Sequence, residues 1–342
     1  MTTNSQLRAF VEVADTGSVR SAAQRLFVTE SAVSAAITTL AREVGVPLLE
    51  RDGRGVRLTR AGTLYAGYAR TILGLHEQAA AAARDQGRPD EGLVRIAAVT
   101  SAGEYLLPVL LASFLRQHPR IQLRLEVAPR DRVWPMLTHH EVDLVVAGRP
   151  PNGLRARIRA VSPNTLVVVG APALAEWFSP ESATWLLREA GSGTRATCLA
   201  LLDPLNIEPT QLTFGSHGAV VASAVAGLGV TLVSREAVAQ HLAAGQLVEL
   251  PVPGTPMKRP WHAVTHPDAT ATTDLLVRHL LAHAHWGPSA GQPGGEDGED
   301  GEDPRGGPAG RVATRLVPEP GRERSTTLPP TSSARSAMLF SP

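Results

Sequence analysis

Two clusters in this chain carry chemistry, and in both the chemistry is the holding of anions. Arg51, Arg54, Arg57 and Arg60 surround an Asp52-Gly53 turn signal, and Gly191-Ser192-Gly193-Thr194-Arg195 follows an apolar run and opens a helical one. Arginine offers a planar fork of donors that pairs with phosphate or carboxylate. A Gly-Ser-Gly junction can turn consecutive backbone N–H groups into one concavity at a helix start, where Arg195 adds charge. Thr100 and Ser101 occupy a similar strand-to-helix junction, and Arg149 and His217 are further candidates for the same cleft, with a surface position the equal alternative for Arg149. Catalytic patterns are weaker. Ser192 lacks the Gly-x-Ser-x-Gly spacing of a nucleophile elbow, and Cys198 has no evident base. His139-His140 and His283-x-His285 point in different directions on a helix, which favours surface or packing roles over a metal. No enzyme, cofactor or metal site is expected.

The composition is that of a soluble globular protein. Of 342 residues, 43% are hydrophobic and 19% charged, and the formal net charge is +1, so a nucleic-acid footprint has to be a local patch. Lys258 is the sole lysine and Cys198 the sole cysteine, which excludes an intrachain disulfide framework and agrees with a reducing compartment. The first residues lack a signal-peptide pattern, and no apolar run approaches the ~20 residues of a membrane span, so a cytoplasmic protein is expected.

These groups need elements to position them. Leu7, Phe10, Val11 and Ala14 predict a helix over 3–14; Ser18 caps a second through Leu26, with Ala22 and Ala23 allowing close approach; Thr29 caps a third over 30–41. Two helices so closely spaced form a helix-turn-helix. Residues 46–51 and 56–59 predict a hairpin, or wing, with Arg54 at its tip. From Thr59 a helix runs to about Asp85, with Leu64, Tyr68, Ile72, Leu75 and Ala79 along one side, which predicts dimerisation. Gly67 and Gly74 each weaken it by roughly 1 kcal/mol relative to alanine.

Beyond a Gly87–Gly92 linker, strand-like runs at 93–99, 121–127 and 142–147 alternate with helices at 104–117 and 130–139, the pattern of an open parallel sheet. A second set follows: strands at 165–169, 184–187, 212–214 and 230–233, with helices at 194–202, 220–226 and 235–243. A return strand at 261–265 and a helix at 271–284 close the fold. Two lobes joined by crossings near 150–163 and 258–262 would hold a ligand between them. A Gly-Glu-Asp triplet repeats from Gly295 to Asp303, in a stretch without periodicity that predicts a disordered tail.

The stretch QLRAFVEVADTGSVRSAAQRLFVTESAVSAAITTLAREVGVPLLERDGRGVRLTRAGTLYAGYAR resembles the N-terminal signature of LysR-type transcription regulators. IAAVTSAGEYLLPVLLASFLRQHP, EVDLVVAGRPP, REAGSGTRAT and GAVVASAVAGLGVTLVSREAV are similar to the effector domain of the same family, and closest in look to regulators of RuBisCO operons and of sulphur assimilation. The resemblance covers residues 4 to about 285. It implies an α/β protein: a winged helix-turn-helix (1–60), a linker and dimerisation helix (61–87), a two-lobed, periplasmic-binding-protein-like effector domain (93–286) and a tail (287–342). It also implies a homodimer or homotetramer that binds promoter DNA, a small anionic effector and RNA polymerase, with no membrane partner.

Three recognition-helix positions depart from the family: Glu30 replaces a usual Gln, Ser31 a Pro and Ala35 an Arg. With no cation between Glu30 and Ala41, phosphate affinity must come from Arg20, Arg25, Arg42 and the wing residues Arg51, Arg54, Arg57 and Arg60. Thr29, Ser31, Ser34, Ala35 and Thr38 are the expected groove-facing positions. Glu30 either accepts from a cytosine amino group or complements the positive helix start. The alternative for the whole chain is a two-lobed binding protein with no regulatory role on DNA.

Overall fold

The computed structural model describes residues 1–53, 55–85, 87–283 and 285–288. Arg54, expected at the wing tip, and the expected tail from residue 289 lie outside the described residues.

Three helices come first: α1 (Asn4–Thr16), α2 (Val19–Leu26) and α3 (Glu30–Val44). Each starts on a hydroxyl. Thr3 accepts from the Gln6 amide in a capping box, Ser18 from Ser21 and Thr29 from Ala32, which serves amides that have no partner inside a helix. Ala22 and Ala23 pack against Ala9, Val13 and Val33, so the small side chains bring α2 close to its neighbours. Strands β1 (Leu49–Asp52) and β2 (Gly55–Leu58) pair antiparallel as the wing. The Val56 N–H donates to Gly17 O at 3.0 Å and pins the wing to the α1–α2 turn.

Helix α4 (Arg60–Asp85) begins where Thr59 accepts from the Gly62 N–H at 2.9 Å and donates to Pro47 O at 2.8 Å. Its stripe of Leu64, Tyr68, Ile72 and Leu75 is exposed, at 67, 64, 49 and 45% respectively. The two glycines that weaken this helix have a structural use. Gly67 lies against the His139 ring, and a Cβ on Gly74 would fall 2.6 Å from the His140 carbonyl oxygen, so bare backbone lets α4 lie on the following domain. Polar contacts complete the seam: Thr71 Oγ1 to His139 Nδ1 at 3.0 Å and Gln78 Oε1 to His140 Nδ1 at 2.6 Å. Glu77 receives Arg8 at 3.2 Å and the nearly buried Arg95 at 3.1 Å, while Arg95 also forks Asp143 at 2.8 Å. The His139-His140 pair is therefore a packing pair.

The first lobe contains β3 (Leu93–Ala98), α5 (Leu107–Gln117), β4 (Gln122–Val127), α6 (Arg130–Thr138), β5 (Leu144–Ala147) and β6 (Arg157–Ser162). The second runs through β7 (Thr165–Gly170), α7 (Pro172–Ala175), β8 (Trp185–Arg188), α8 (Gly193–Leu202), β9 (Gln211–Phe214), α9 (His217–Val225), β10 (Thr231–Ser234), α10 (Ala239–Ala243), β11 (Val248–Glu249) and β12 (Met257–Lys258). Strand β13 (Trp261–Thr265) and α11 (Ala271–Leu281) return to the first.

Lobe one is a sheet of order β4-β3-β5-β13-β6. Only β4, β3 and β5 are parallel; β13 runs antiparallel to both neighbours, because the chain re-enters from the other lobe. The expected open parallel sheet is therefore mixed. Residues 150–163 are not all crossing either, since they contain β6, whose arginines at 157 and 159 interrupt its apolar pattern. The crossings narrow to the segments around Asn164 and Arg259, tied by Arg259 N–H to Asn164 O at 2.8 Å and Asn164 Nδ2 to Arg259 O at 2.9 Å. Helix 104–117 is replaced at its start by a π-helical turn, Ala102–Leu106. In lobe two, β10, β11 and β12 pair antiparallel with β7, and β8 runs parallel to β9. After α11, Trp286 is buried in the lobe-one core and Gly287 exchanges two 2.9 Å hydrogen bonds with Val161, so residue 287, the expected start of the tail, is still held on this lobe.

Candidate nucleic-acid interface and anion cleft

Helix α3 buries Val33 and Leu40 and leaves Glu30, Ser31, Ser34, Ala35 and Thr38 exposed. Some of these groups have local work. Thr29 caps the helix, and the Thr38 hydroxyl donates to its own Ser34 carbonyl at 2.8 Å. Since Thr29 serves the free amides, Glu30 is not the cap, though its charge at the helix start remains favourable. Among the described residues Arg20, Arg42, Arg51 and Arg60 form no ion pair, whereas Arg57 pairs with Glu50 at 3.0 Å and Arg25 with Glu12 at 3.5 Å. Exposed pairs of this kind are worth at most about 1 kcal/mol, little enough for a phosphate to displace. The sequence reading missed Phe27, which is 95% exposed just before the α3 cap with a left-handed backbone (φ +56°). Such an apolar group suits contact with a thymine methyl.

Between the lobes, Thr100, Ser101, Ser192 and Thr194 line one cavity of about 70 Å³, together with Arg130, Asn164, Arg188 and Arg259. Arg188 is 8% exposed. It forks Glu189 with two 2.7 Å bonds, and its Nη2 crosses the cleft to Thr100 Oγ1 at 3.2 Å. Gly191 is left-handed (φ +84°), and the Asp131 carboxylate of the other lobe sits so close that a Cβ there would lie 2.6 Å from its Oδ1. Ser192 caps α8 through the Arg195 amide. The cavity is well below the ~300 Å³ of an ordinary ligand pocket, so the cleft as it stands suits only a small guest.

Three predicted residues stand elsewhere. Arg195 does not line the cavity; its Nη1 donates to Arg188 O at 2.8 Å and Thr213 Oγ1 at 3.0 Å, because the first turn of α8 turns that side chain onto β8 and β9. Arg149 is exposed and lines a neighbouring pocket. His217 is 6% exposed at the start of α9, its ring 5.3 Å from that of Tyr105 in the other lobe, with Nε2 buried and unpartnered. Arg188, Glu189, Asp131 and Asn164 were missed. Their signal is proximity across lobes, which spacing does not display.

Burial, then Arg188, pushes the His217 pKa down to about 4, and burial, then His140, does the same to His266. In the unfolded chain both titrate near 6.5. Above that value they cost nothing; as pH falls toward 4 the unfolded state takes protons that the fold refuses, and stability is lost. Urea unfolding from pH 6.5 to 5 should show a loss of about 1.4 kcal/mol per unit for each histidine at full slope. His217→Gln should reduce that slope by one proton, and an unchanged slope would refute the assignment.

Residues 5–63 match the family of bacterial regulatory helix-turn-helix proteins, lysR family, and residues 87–285 match the LysR substrate binding domain. The chain belongs to the LysR family. Among LysR relatives, the HTH-type transcriptional regulator CbbR of Rhodospirillum rubrum is 34% identical over 265 residues, 76% of this chain and 88% of that protein. The RuBisCO operon transcriptional regulator of Acidithiobacillus ferrooxidans is 32% identical over 267 residues, 76% of this chain and 86% of that protein. Two solved structures share the LysR fold. A full-length OxyR variant from Pseudomonas aeruginosa has a TM-score of 0.60 at 20% identity, covering 86% of this chain and 99% of its own. CbnR has a TM-score of 0.58 at 22% identity, covering 81% and 97%. Among the described residues no helix is long and apolar enough to cross a membrane.

Proposed function

We propose that this LysR-family transcription regulator reads promoter DNA with the outer face of α3 and is switched by a small anionic metabolite held between its lobes. The carrying observation is the capped α3, which exposes Glu30, Ser31, Ser34 and Ala35 beside a wing bearing Arg51 and Arg57. Such a helix presents short polar and methyl groups to base edges, while the arginines around it supply phosphate contacts. The cleft reading rests on Arg188 and the α8 start converging with Thr100 on one cavity. The name of one relative, a RuBisCO operon transcriptional regulator, favours a RuBisCO operon as target. A cytoplasmic regulator without catalytic activity, divided at about residues 60, 87 and 286, fits these features. The two-lobed binding protein with no role on DNA is the weaker reading, since it leaves the exposed face of α3 without a purpose.

Anisotropy titrations on the DNA upstream of the gene test this reading. Arg54→Ala should weaken binding to all sequences and reduce the logarithmic salt slope by about 0.9, one phosphate contact. Ser34→Ala should change which bases are preferred at nearly constant slope. No binding to any duplex at low salt would leave only the binding-protein reading.

A further inference from the structure

The cations that line the cleft cavity are not equally free. Arg188 already holds a carboxylate, Glu189, and the start of α8 is faced by Asp131. Immediately beside the cavity, at the lobe crossing, lies an open pocket of about 630 Å³. Four cations from three separate segments line it: Arg130 at the start of α6, Arg149 after β5, and Lys258 at the end of β12 with Arg259 just after it. Among the described residues none of the four forms an ion pair, and no carboxylate lines the pocket. Arg130 is held in place by donating through Nη2 to Arg149 O at 2.9 Å. His262 lines the same pocket, and burial, then the neighbouring Arg149 charge, pushes its pKa down.

Four like charges around one concavity repel one another and are relieved by a counter-anion. A single carboxylate cannot meet forks arriving from three segments; an anion with several charged oxygens can. We propose that the lobe crossing is a second anion site, distinct from the cleft, which takes a phosphate-bearing metabolite of two or more negative charges. Arg130 and Arg259 line both the pocket and the cleft cavity, and Arg259 is tied to Asn164 across the two crossings, so an occupant bears directly on the segments about which the lobes would turn. Occupancy of the pocket therefore biases the opening of the cleft.

The test uses the full chain, with sodium pyrophosphate as probe and calorimetry as readout. Wild type should bind pyrophosphate, and Arg149→Ala with Lys258→Ala, both exposed and outside the cleft lining, should weaken it about tenfold or more. Thr194→Val, which alters only the cleft, should leave pyrophosphate affinity unchanged. Arg116→Ala with Arg278→Ala, exposed cations elsewhere on lobe one, controls for general charge and should change affinity less than twofold. Pyrophosphate binding that survives the Arg149/Lys258 pair, or that is lost equally with the control pair, overturns the proposal, as does no binding to wild type. Loss with Thr194→Val alone would place the anion in the cleft and overturn this site while leaving the cleft reading intact.

Discussion

Ile72→Glu should convert the protein to a monomer and reduce its affinity for a full two-half-site operator by about 10²- to 10⁴-fold, the range lost when paired binding becomes single binding. Leu64, Tyr68, Ile72 and Leu75 follow helical spacing along one side of α4, and the helix's other contacts lie on its own DNA-binding helices, through Ala66 and Ala69, and on its own effector domain, through Gly67 and Gly74. Four large apolar groups left in water on a 26-residue helix are satisfied by a second copy of the same stripe. A carboxylate at position 72 would be buried without a partner at the centre of that stripe, which costs several kcal/mol. Sedimentation equilibrium should then return the protomer mass, and unfolding should lose its dependence on protein concentration. Retention of dimer mass with unaltered operator affinity would show that another face pairs the chains.

The same helix relates the two ends of the protein. Arg8 of α1, Glu77 of α4 and Arg95 and Asp143 of lobe one form one chain of charges, and Arg70 of α4 pairs with Asp15 and, at 3.7 Å, with Glu141. Helix α4 thus touches the DNA-binding helices on one side and the effector lobe on another.

What was legible in the sequence depended on range. Ser18 and Thr29 mark their helix starts because a cap acts on amides two or three residues away, and each cap is present. Strand β6 was read as part of a crossing because Arg157 and Arg159 occupy alternate positions on a strand at the edge of its sheet. Gly67 and Gly74 looked like weaknesses, since the His139 ring and the backbone of residues 139–140 that they accommodate are more than sixty positions away. In the cleft, Thr100, Ser101, Ser192 and Thr194 were found because strand-to-helix junctions have a local signature. Arg188 and Glu189 have none: they are an ordinary adjacent pair until folding brings Thr100 to them. Arg195 was misplaced for the converse reason, as helix rotation, which the motif does not fix, aims it at Arg188 O.

Glu189→Gln should tighten, not weaken, the binding of a small anion in the cleft. Burial, the largest single influence, raises the Glu189 pKa, but the Arg188 hydrogen bonds, its own backbone N–H and the charges of Arg188 and His217 together outweigh it and hold the carboxyl below its usual range, so it is charged at neutral pH. As a charged group forking Arg188, it occupies the donors that an incoming carboxylate or phosphate needs. Glutamine keeps the shape and one acceptor while releasing the charge. Inorganic phosphate, titrated into an Arg149→Ala/Lys258→Ala background that silences the crossing pocket, should bind about tenfold more tightly to the Glu189→Gln protein, a gain of about 1.4 kcal/mol. Arg188→Gln should have the opposite and larger effect, a loss of about 2–5 kcal/mol, because it removes the cation and leaves Glu189 as an unpaired negative charge facing the ligand. The double variant separates the two roles. If Glu189 competes with the ligand, its removal partly restores binding to the Arg188→Gln protein; if Glu189 serves only to orient Arg188, the single Glu189→Gln change weakens phosphate binding and the double variant gains nothing.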